Sequence, residues 1–192
     1  ISNSSMVSNK ALLGDGGCIS SRSYINMNMT YNDITSNTAG NNGGCMLFDD
    51  NINIQMYSNT FNNNIASVSG GVGYFGNAIL LESNKSLFHN NSCLVGNGGV
   101  FNAGMHVIMH LHNSSINENK AYEGDGGFSH SLSNISMTIK NNTIFTSNMA
   151  GANGGCMSYD DNVNIAIDNT ILRHNIAKSS GGCIYMLHKN HI

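Results

Sequence analysis

The stretch GGCMLFDDNINI, Gly43 to Ile54, returns further along the chain as GGCMSYDDNVNI, Gly154 to Ile165. Two segments this alike are either two copies of one active site or two copies of one structural unit, and the double glycine decides between them. Gly-Gly pairs stand at 16–17, 43–44, 70–71, 98–99, 126–127, 154–155 and 181–182, at one nearly constant interval. Six or seven places before each pair is an asparagine: Asn9, Asn37, Asn64, Asn91, Asn119, Asn148 and Asn175. Three places before each asparagine is an apolar residue: Met6, Ile34, Phe61, Phe88, Ile116, Phe145 and Leu172. Between asparagine and glycine falls a small one: Ala11, Ala39, Ala66, Cys93, Ala121, Ala150 and Ala177. Seven units in register define a repeat array.

Within the units apolar residues alternate with polar ones. Ile25, Met27 and Met29 interleave with Asn26, Asn28 and Thr30; Ile52, Ile54 and Met56 with Asn53 and Gln55; Ile135, Met137 and Ile139 with Ser136 and Thr138. A period of two is that of a half-buried strand, not of a helix. Only Ala78-Ile79-Leu80-Leu81 blurs it. A unit of about 27–28 residues holds three short strands and three turns, too few for a propeller blade, and the leucine pattern of leucine-rich repeats is missing. One β-solenoid coil per unit remains, each coil pairing in parallel with the next at ~4.8 Å. The expected fold is therefore all-β, a parallel β-helix of about seven coils forming a single domain over residues 1–192. In-register stacking turns the asparagines into an amide ladder along the axis that also satisfies turn backbone. The glycine pair supplies a turn conformation or a close approach that side chains would block. The absence of proline fits strands whose every interior N–H must donate to a neighbour.

Composition agrees with an ordered chain: 40% of residues are apolar and 10% charged, with 22 glycines and 33 asparagines. Net charge is −3 with eight Lys and Arg and no basic run, which argues against nucleic-acid binding and against a polybasic membrane patch. No apolar run approaches the ~20 residues of a membrane-spanning helix. The sequence opens at Ile1 without Met or a signal-peptide pattern, as expected of a mature product or a piece of something longer.

The combination of GGC[IM], as in Gly16-Gly17-Cys18-Ile19, Gly43-Gly44-Cys45-Met46 and Gly181-Gly182-Cys183-Ile184, with F-x-x-N, as in Phe61 to Asn64, Phe88 to Asn91 and Phe145 to Asn148, resembles the GGA[ILV]/FxxN repeats of the chlamydial-type polymorphic outer-membrane proteins. The resemblance covers essentially the whole chain. It implies a right-handed parallel β-helix with an extracellular or cell-surface role as an adhesin or structural shaft. The chain departs from the family in placing Cys, Val or Phe where Ala is preferred, and it shows no β-barrel translocator.

A longer period overlies the coil. NSSMVSNKALLGDGG, Asn3 to Gly17, matches NSSINENKAYEGDGG, Asn113 to Gly127, four units on, so a four-coil block is duplicated. The opening pair of stretches is offset by the same four units. The ends are in phase: Ile1 corresponds to Ile167 and Ile192 to Ile165, and joining two copies would place Gly181 one whole unit before the next Gly16. Seven coils ending this way suggest a segment of a longer array or a subunit that stacks on itself head to tail, since an open solenoid end invites pairing.

Four groups of residues invite a chemical reading. Asp49-Asp50 and Asp160-Asp161 suggest Ca²⁺ ligands or catalytic acids. They lie four coils apart, ~19 Å at ~4.8 Å per coil, beyond the ~5–10 Å of a glycosidase pair, so they read as turn residues copied with the block. Cys18 and Cys45, and Cys156 and Cys183, share one ladder position on adjacent coils. Stacked Cβ atoms ~4.8 Å apart exceed the usual disulfide spacing of ~3.5–4.5 Å, so these read as a buried ladder of free thiols. His106, His110 and His112, with His130 on the next coil, read as outward polar residues rather than a metal site. Sequons for N-glycosylation stand at Asn3, Asn28, Asn84, Asn90, Asn113, Asn134 and Asn141, of which Asn3, Asn84, Asn113 and Asn141 fall near one turn on an exposed edge. The eight threonines do not align into an ice-binding face. No catalytic residue, metal or cofactor is expected. The expected function is a non-enzymatic, N-glycosylated surface fibre subunit or adhesin shaft whose partners are itself and glycans. The alternative is a carbohydrate-binding or carbohydrate-active β-helix, for which a carboxylate cluster on neighbouring coils would be the mark.

Overall fold

The computed structural model describes residues 1–188, which form a parallel β-solenoid of about seven turns without a helix. Three seven-stranded parallel sheets run its length. Sheet 1 contains Ser5–Val7, Asp33–Thr35, Thr60–Asn62, Leu87–His89, Ser115–Asn117, Thr143–Thr146 and Thr170–Arg173. Sheet 2 contains two-residue strands: Lys10–Ala11, Thr38–Ala39, Ile65–Ala66, Ser92–Cys93, Lys120–Ala121, Met149–Ala150 and Ile176–Ala177. Sheet 3 contains Ile19–Thr30, Met46–Tyr57, Gly73–Asn84, Phe101–His112, Ser129–Lys140, Met157–Ile167 and Ile184–His188.

The three strands expected per coil are present, but one is a long strand, 12 residues in Met46–Tyr57, with a bend in its middle. The bend is a single residue with positive φ, at Tyr24, Asn51, Ala78, His106, Asn134 and Asn162 in successive coils. One left-handed residue redirects the chain while pairing with both neighbours resumes on either side: Asp50 with Asn77 before the bend, Ile52 with Ile79 after it. The Ala78–Leu81 stretch resolves accordingly. Ala78 is the exposed bend, Ile79 and Leu81 point into the core, and Leu80 lies on the outward row with Asn53.

The inward residues form one continuous core from coil to coil. Phenylalanines dominate its middle: Phe61 stacks on Phe88 with centroids 4.9 Å apart and planes 4° from parallel, and Phe88, Phe101, Phe128 and Phe145 continue edge-to-face. Adjacent columns compensate in size. Gly73 adjoins Phe75, whose ring would lie 2.6 Å from a Cβ at Gly73, while Ala103 accompanies Phe101 in the next coil. Ser129 and Ser131 enter the core beside Phe128, and the Tyr159 hydroxyl shares a 2.5 Å hydrogen bond with the Ser129 Oγ. Strict stacking fixes the column, so volume is balanced between columns rather than within one.

The glycine pair explains the narrow corner under sheet 2. Its first member has positive φ in all seven coils. Its second lies flat against the next coil: a Cβ at Gly99 would be 2.2 Å from the Gly127 carbonyl oxygen and 2.7 Å from Lys120 backbone. With backbone packed on backbone, sheet 2 has room inside only for Ala39, Ala66, Cys93, Ala121 and Ala150, all buried.

Gly182 occupies the same motif position as Gly99, yet among the described residues a Cβ there meets nothing nearer than the Asn175 carbonyl oxygen at 3.6 Å. The expected outcome is that Gly99→Ala lowers the urea midpoint steeply, by the several kcal/mol of a backbone clash that the stack must open to relieve. Gly182→Ala should leave the midpoint within the scatter of a neutral surface change.

Candidate functional site

The asparagine column is the most fully built polar feature of the molecule. At each corner after sheet 1 a residue with positive φ (Ser8, Ser36, Asn63, Asn90, Glu118, Ser147, His174) immediately precedes the column asparagine. That conformation turns the strand and leaves the asparagine N–H and the carbonyl of the apolar residue three positions earlier outside the sheet ladder. The amide of the following coil takes up both. Asn91 Oδ1 accepts from the backbone N–H of Asn64 at 3.0 Å and from its Nδ2 at 2.9 Å, while Asn91 Nδ2 donates to the Phe61 carbonyl at 2.9 Å. The arrangement repeats from Asn9–Asn37 to Asn148–Asn175, with every bond between 2.8 and 3.1 Å. Asn37, Asn64, Asn91, Asn119 and Asn148 have no exposed surface, whereas in the outermost coils Asn9 is exposed and Asn175 half-buried. The F-x-x-N spacing is thus the distance between the stranded carbonyl and the stranded N–H.

Two further columns escape a reading by residue identity. Ser4, Asn32, Asn59, Ser86, Ser114 and Thr143 line the corner between sheets 3 and 1. The Asn32 N–H donates to Asn59 Oδ1 at 3.0 Å, the Asn59 N–H to Ser86 Oγ at 3.3 Å and the Ser114 N–H to Thr143 Oγ1 at 3.4 Å. Before the glycines, Asp15, Asn42, Ser69, Asn97, Asp125, Asn153 and Ser180 share one position. There the side chain of the earlier coil accepts from the N–H of the later one, as at Asp125 Oδ1 and Asn153 N, 2.6 Å. The signal available in the sequence was positional: a short polar residue always two places before the apolar residue or one place before Gly-Gly. Because Ser, Thr, Asn and Asp all serve, neither column stands out as a repeated letter.

The aspartate pairs lie inside the long strands, just before the bends at Asn51 and Asn162, and not in turns between strands. Asp50 Oδ1 accepts from the Asn77 N–H at 2.9 Å and its Nδ2 at 3.1 Å, and Asn77 Oδ1 accepts in turn from the Met105 N–H. Asp161 caps the Asn162 N–H. Asp160 lies 3.8 Å from Nε2 of His130, which is 5% exposed and whose Nδ1 is 2.9 Å from Asn102 Oδ1. Burial holds the His130 imidazole below its ordinary range, against the pull of Asp160 and Asp125. The structure does not bring His130 to the other histidines: it is in register with Asn102, while His110 and His112 pair with Thr138 and Lys140. Among the described residues no three His, Cys, Asp or Glu side chains are placed to hold a metal ion.

The five cysteines are free thiols. Cys45 and Cys156 are buried, while Cys18 and Cys183, in the outermost coils, are only half-buried, a departure from a uniformly buried ladder. Cys45 hydrogen-bonds Cys18, which holds the Cys18 thiol below its usual range and Cys45 well above it. Burial, then the bond to Cys183, raises Cys156, and the same contact lowers Cys183. Cys93 donates to the Gly96 carbonyl at 3.1 Å, and burial pushes its thiol up to about 12.

Of the sequons, Asn3, Asn113 and Asn141 sit with positive φ on the turn from sheet 3 to sheet 1 and are exposed, as is Asn90 at the following corner and Asn28 on the outward face of sheet 3. Asn84 is half-buried rather than exposed: it ends its strand, one position before that turn, and its Oδ1 lies 3.5 Å from Asn113 Nδ2. Asn134 is also half-buried at a bend, with its Oδ1 bound by Asn162 Nδ2. Ser86 and Thr143, the hydroxyl positions of two sequons, are members of the corner column.

Compared with models of known families, with curated proteins and with solved structures, the chain gives no match.

Two outcomes follow from the columns. Asn91→Ala strips partners from the Asn64 N–H, the Asn64 amide and the Phe61 carbonyl, and at ~1–3 kcal/mol for each buried unsatisfied group it should cost about 3 kcal/mol or more in urea unfolding, while Asn9→Ala at the exposed end should cost under about 1 kcal/mol. Ellman's reagent at pH 8 should titrate Cys18 and Cys183 in the native protein and reach Cys45, Cys93 and Cys156 only after denaturation, with peptide mapping of the alkylated protein assigning the sites.

Proposed function

We propose that this chain is a non-enzymatic β-solenoid shaft of the cell surface or extracellular space, a fibre subunit or adhesin stalk whose end coils stack head to tail on further coils and whose flanks carry N-linked glycans. The observation that carries the reading is the condition of the two end faces. Met6, Cys18, Ile19, Ile25 and Met27 in the first coil, and Leu172, Cys183, Ile184 and Met186 in the last, are only partly buried, whereas their counterparts in inner coils have almost no exposed surface. A further coil in register would cover these side chains, continue the asparagine column and pair the outer strand edges. Ile1 occupies the register position of Met29, because Ser2 bridges Thr30, and that row leads coil by coil to Ile167; Ile192, expected to correspond to Ile165, lies outside the described residues. The resemblance of the GGC[IM] and F-x-x-N units to surface-protein repeats favours the location. The exposed sequons at Asn3, Asn90, Asn113 and Asn141, at the corners beside sheet 1, are the positions assigned to glycans.

Asp50 and Asp161 support this reading over the enzymatic one. Asp50 is occupied by Asn77, Asp161 by the Asn162 backbone, and the two pairs stand four coils apart.

The decisive variant is Gly182→Ala. A methyl at this position meets no described residue closer than 3.6 Å, but in a head-to-tail stack it would strike the carbonyl of the next copy's glycine, as Gly155 would strike Gly182 at 2.3 Å. Electron microscopy and sedimentation of the 192-residue chain should show filaments for the natural sequence and discrete particles for Gly182→Ala, with the far-UV circular dichroism of the two alike. A natural chain that stays monomeric at high concentration would refute the stacking.

A further inference from the structure

The outward face of sheet 3 in the first four coils holds an open groove of about 480 Å³. Its sides are two ranks of side chains repeated coil by coil: Asn28, Gln55 and Glu82 in one, Thr30, Tyr57, Asn84 and His112 in the other. Its floor is backbone with Met29, Met56 and Ser83, whose side chains turn into the solenoid. We propose that this groove binds a neutral oligosaccharide lying along the solenoid axis, a site separate from the end faces on which the shaft reading rests.

The chemistry of the ranks selects the ligand. Amides, an imidazole, a threonine hydroxyl and a phenol supply donors and acceptors and the Glu82 carboxylate a further acceptor, which suits adjacent hydroxyl groups on a sugar ring. Their hydrogen-bonding capacity is largely unspent. The one contact within the first rank, Gln55 Nε2 to Glu82 Oε2, is 3.4 Å long, and the Asn84 side-chain carbonyl has only the 3.5 Å contact to Asn113. His112 Nδ1 is buried without a partner. Tyr57 is a fixed wall: Lys85 Nζ is 3.1 Å from its hydroxyl and 5.4 Å from its ring centroid, and the Tyr31 ring meets it edge-on at 5.6 Å. A rigid ring beside hydrogen-bonding groups offers an apolar surface for the C–H face of a sugar.

Other occupants fit less well. Strands Met46–Tyr57 and Gly73–Asn84 are hydrogen-bonded on both sides, and at the outermost strand Ile1–Asn3 cover the edge at Asn28–Thr30, so no free strand edge exists in the groove for a peptide to extend the sheet. An anionic polymer would place its charge beside Glu82, with Lys85 already engaged by Tyr57. The ranks recur at the ~4.8 Å spacing of the coils, so successive units of a chain molecule can meet equivalent groups on successive coils.

The test uses the 192-residue chain made in bacteria, so that Asn28 and Asn84 carry no glycan. Calorimetric titrations employ a panel of neutral oligomers (cello-, manno- and xylo-oligosaccharides) beside an acidic oligogalacturonate. Binding of at least one neutral oligomer is expected, weakened at least about tenfold by Gln55→Ala and by Glu82→Ala, the loss of a hydrogen bond to or beside a charged group. Asn164→Ala, exposed on the same sheet two coils beyond the groove, should bind as the natural sequence does. Unchanged melting temperatures show that the groove variants remain folded. No binding across the panel, equal binding by both groove variants, or preference for the acidic oligomer overturns the proposal. Filament formation is unaffected by these substitutions, so the outcome is independent of the stacking experiment.

Discussion

Where the backbone turns out of sheet 1, a residue in the left-handed conformation takes one N–H and one carbonyl per coil away from the strands that would have paired them. In a buried corner each would cost ~1–3 kcal/mol if left alone. The asparagine of the next coil answers both with one amide, and its own N–H is answered by the coil after that. Each coil is therefore satisfied only by its neighbour. Sharp corners are what allow three flat sheets to enclose a core, so the solenoid cross-section depends on this column. The bond is also directional along the axis, which sets the register of every other column.

Once register is fixed, the remaining choices become local. Gly-Gly is retained where one coil's backbone lies on the next, and the residue inside sheet 2 must then be Ala or Cys. In sheet 3 the columns are wide enough for Phe, Met or Ile, and the exchange of Gly73, Ala103 and Ser129 against Phe75, Phe101 and Tyr159 keeps the density even. Aspartates, serines and threonines enter the secondary columns because any short acceptor reaches the N–H concerned. The duplicated aspartates that first suggest chemistry are in this sense part of the masonry: Asp50 holds Asn77, and Asp161 caps a bend.

Function on such a scaffold separates by direction. Among the described residues the end coils leave core side chains half-covered, and the proposed stacking would use these faces. The flanks present outward ranks whose composition is free to vary, because nothing inside depends on them. The groove over Gln55 and Glu82 and the exposed sequons both belong to the flanks.

The repeat length, the F-x-x-N spacing, the double glycine and the two-residue alternation were enough to place the chain as a parallel β-solenoid, because stacking forces one residue to recur at one interval and leaves that interval in the sequence. The cysteine positions were legible for the same reason. The bend within the long strands was not, since Tyr24, Ala78 and His106 adopt positive φ as Asn51 does and their letters share nothing. The corner and pre-glycine columns were hidden by the interchangeability of short polar side chains. The reach of Asp160 toward His130, the half-burial of Asn84 and the groove across four coils were decided only in three dimensions. They depend on how outward neighbours from different coils lean on one another, and no periodic constraint governs residues on the outside of the stack.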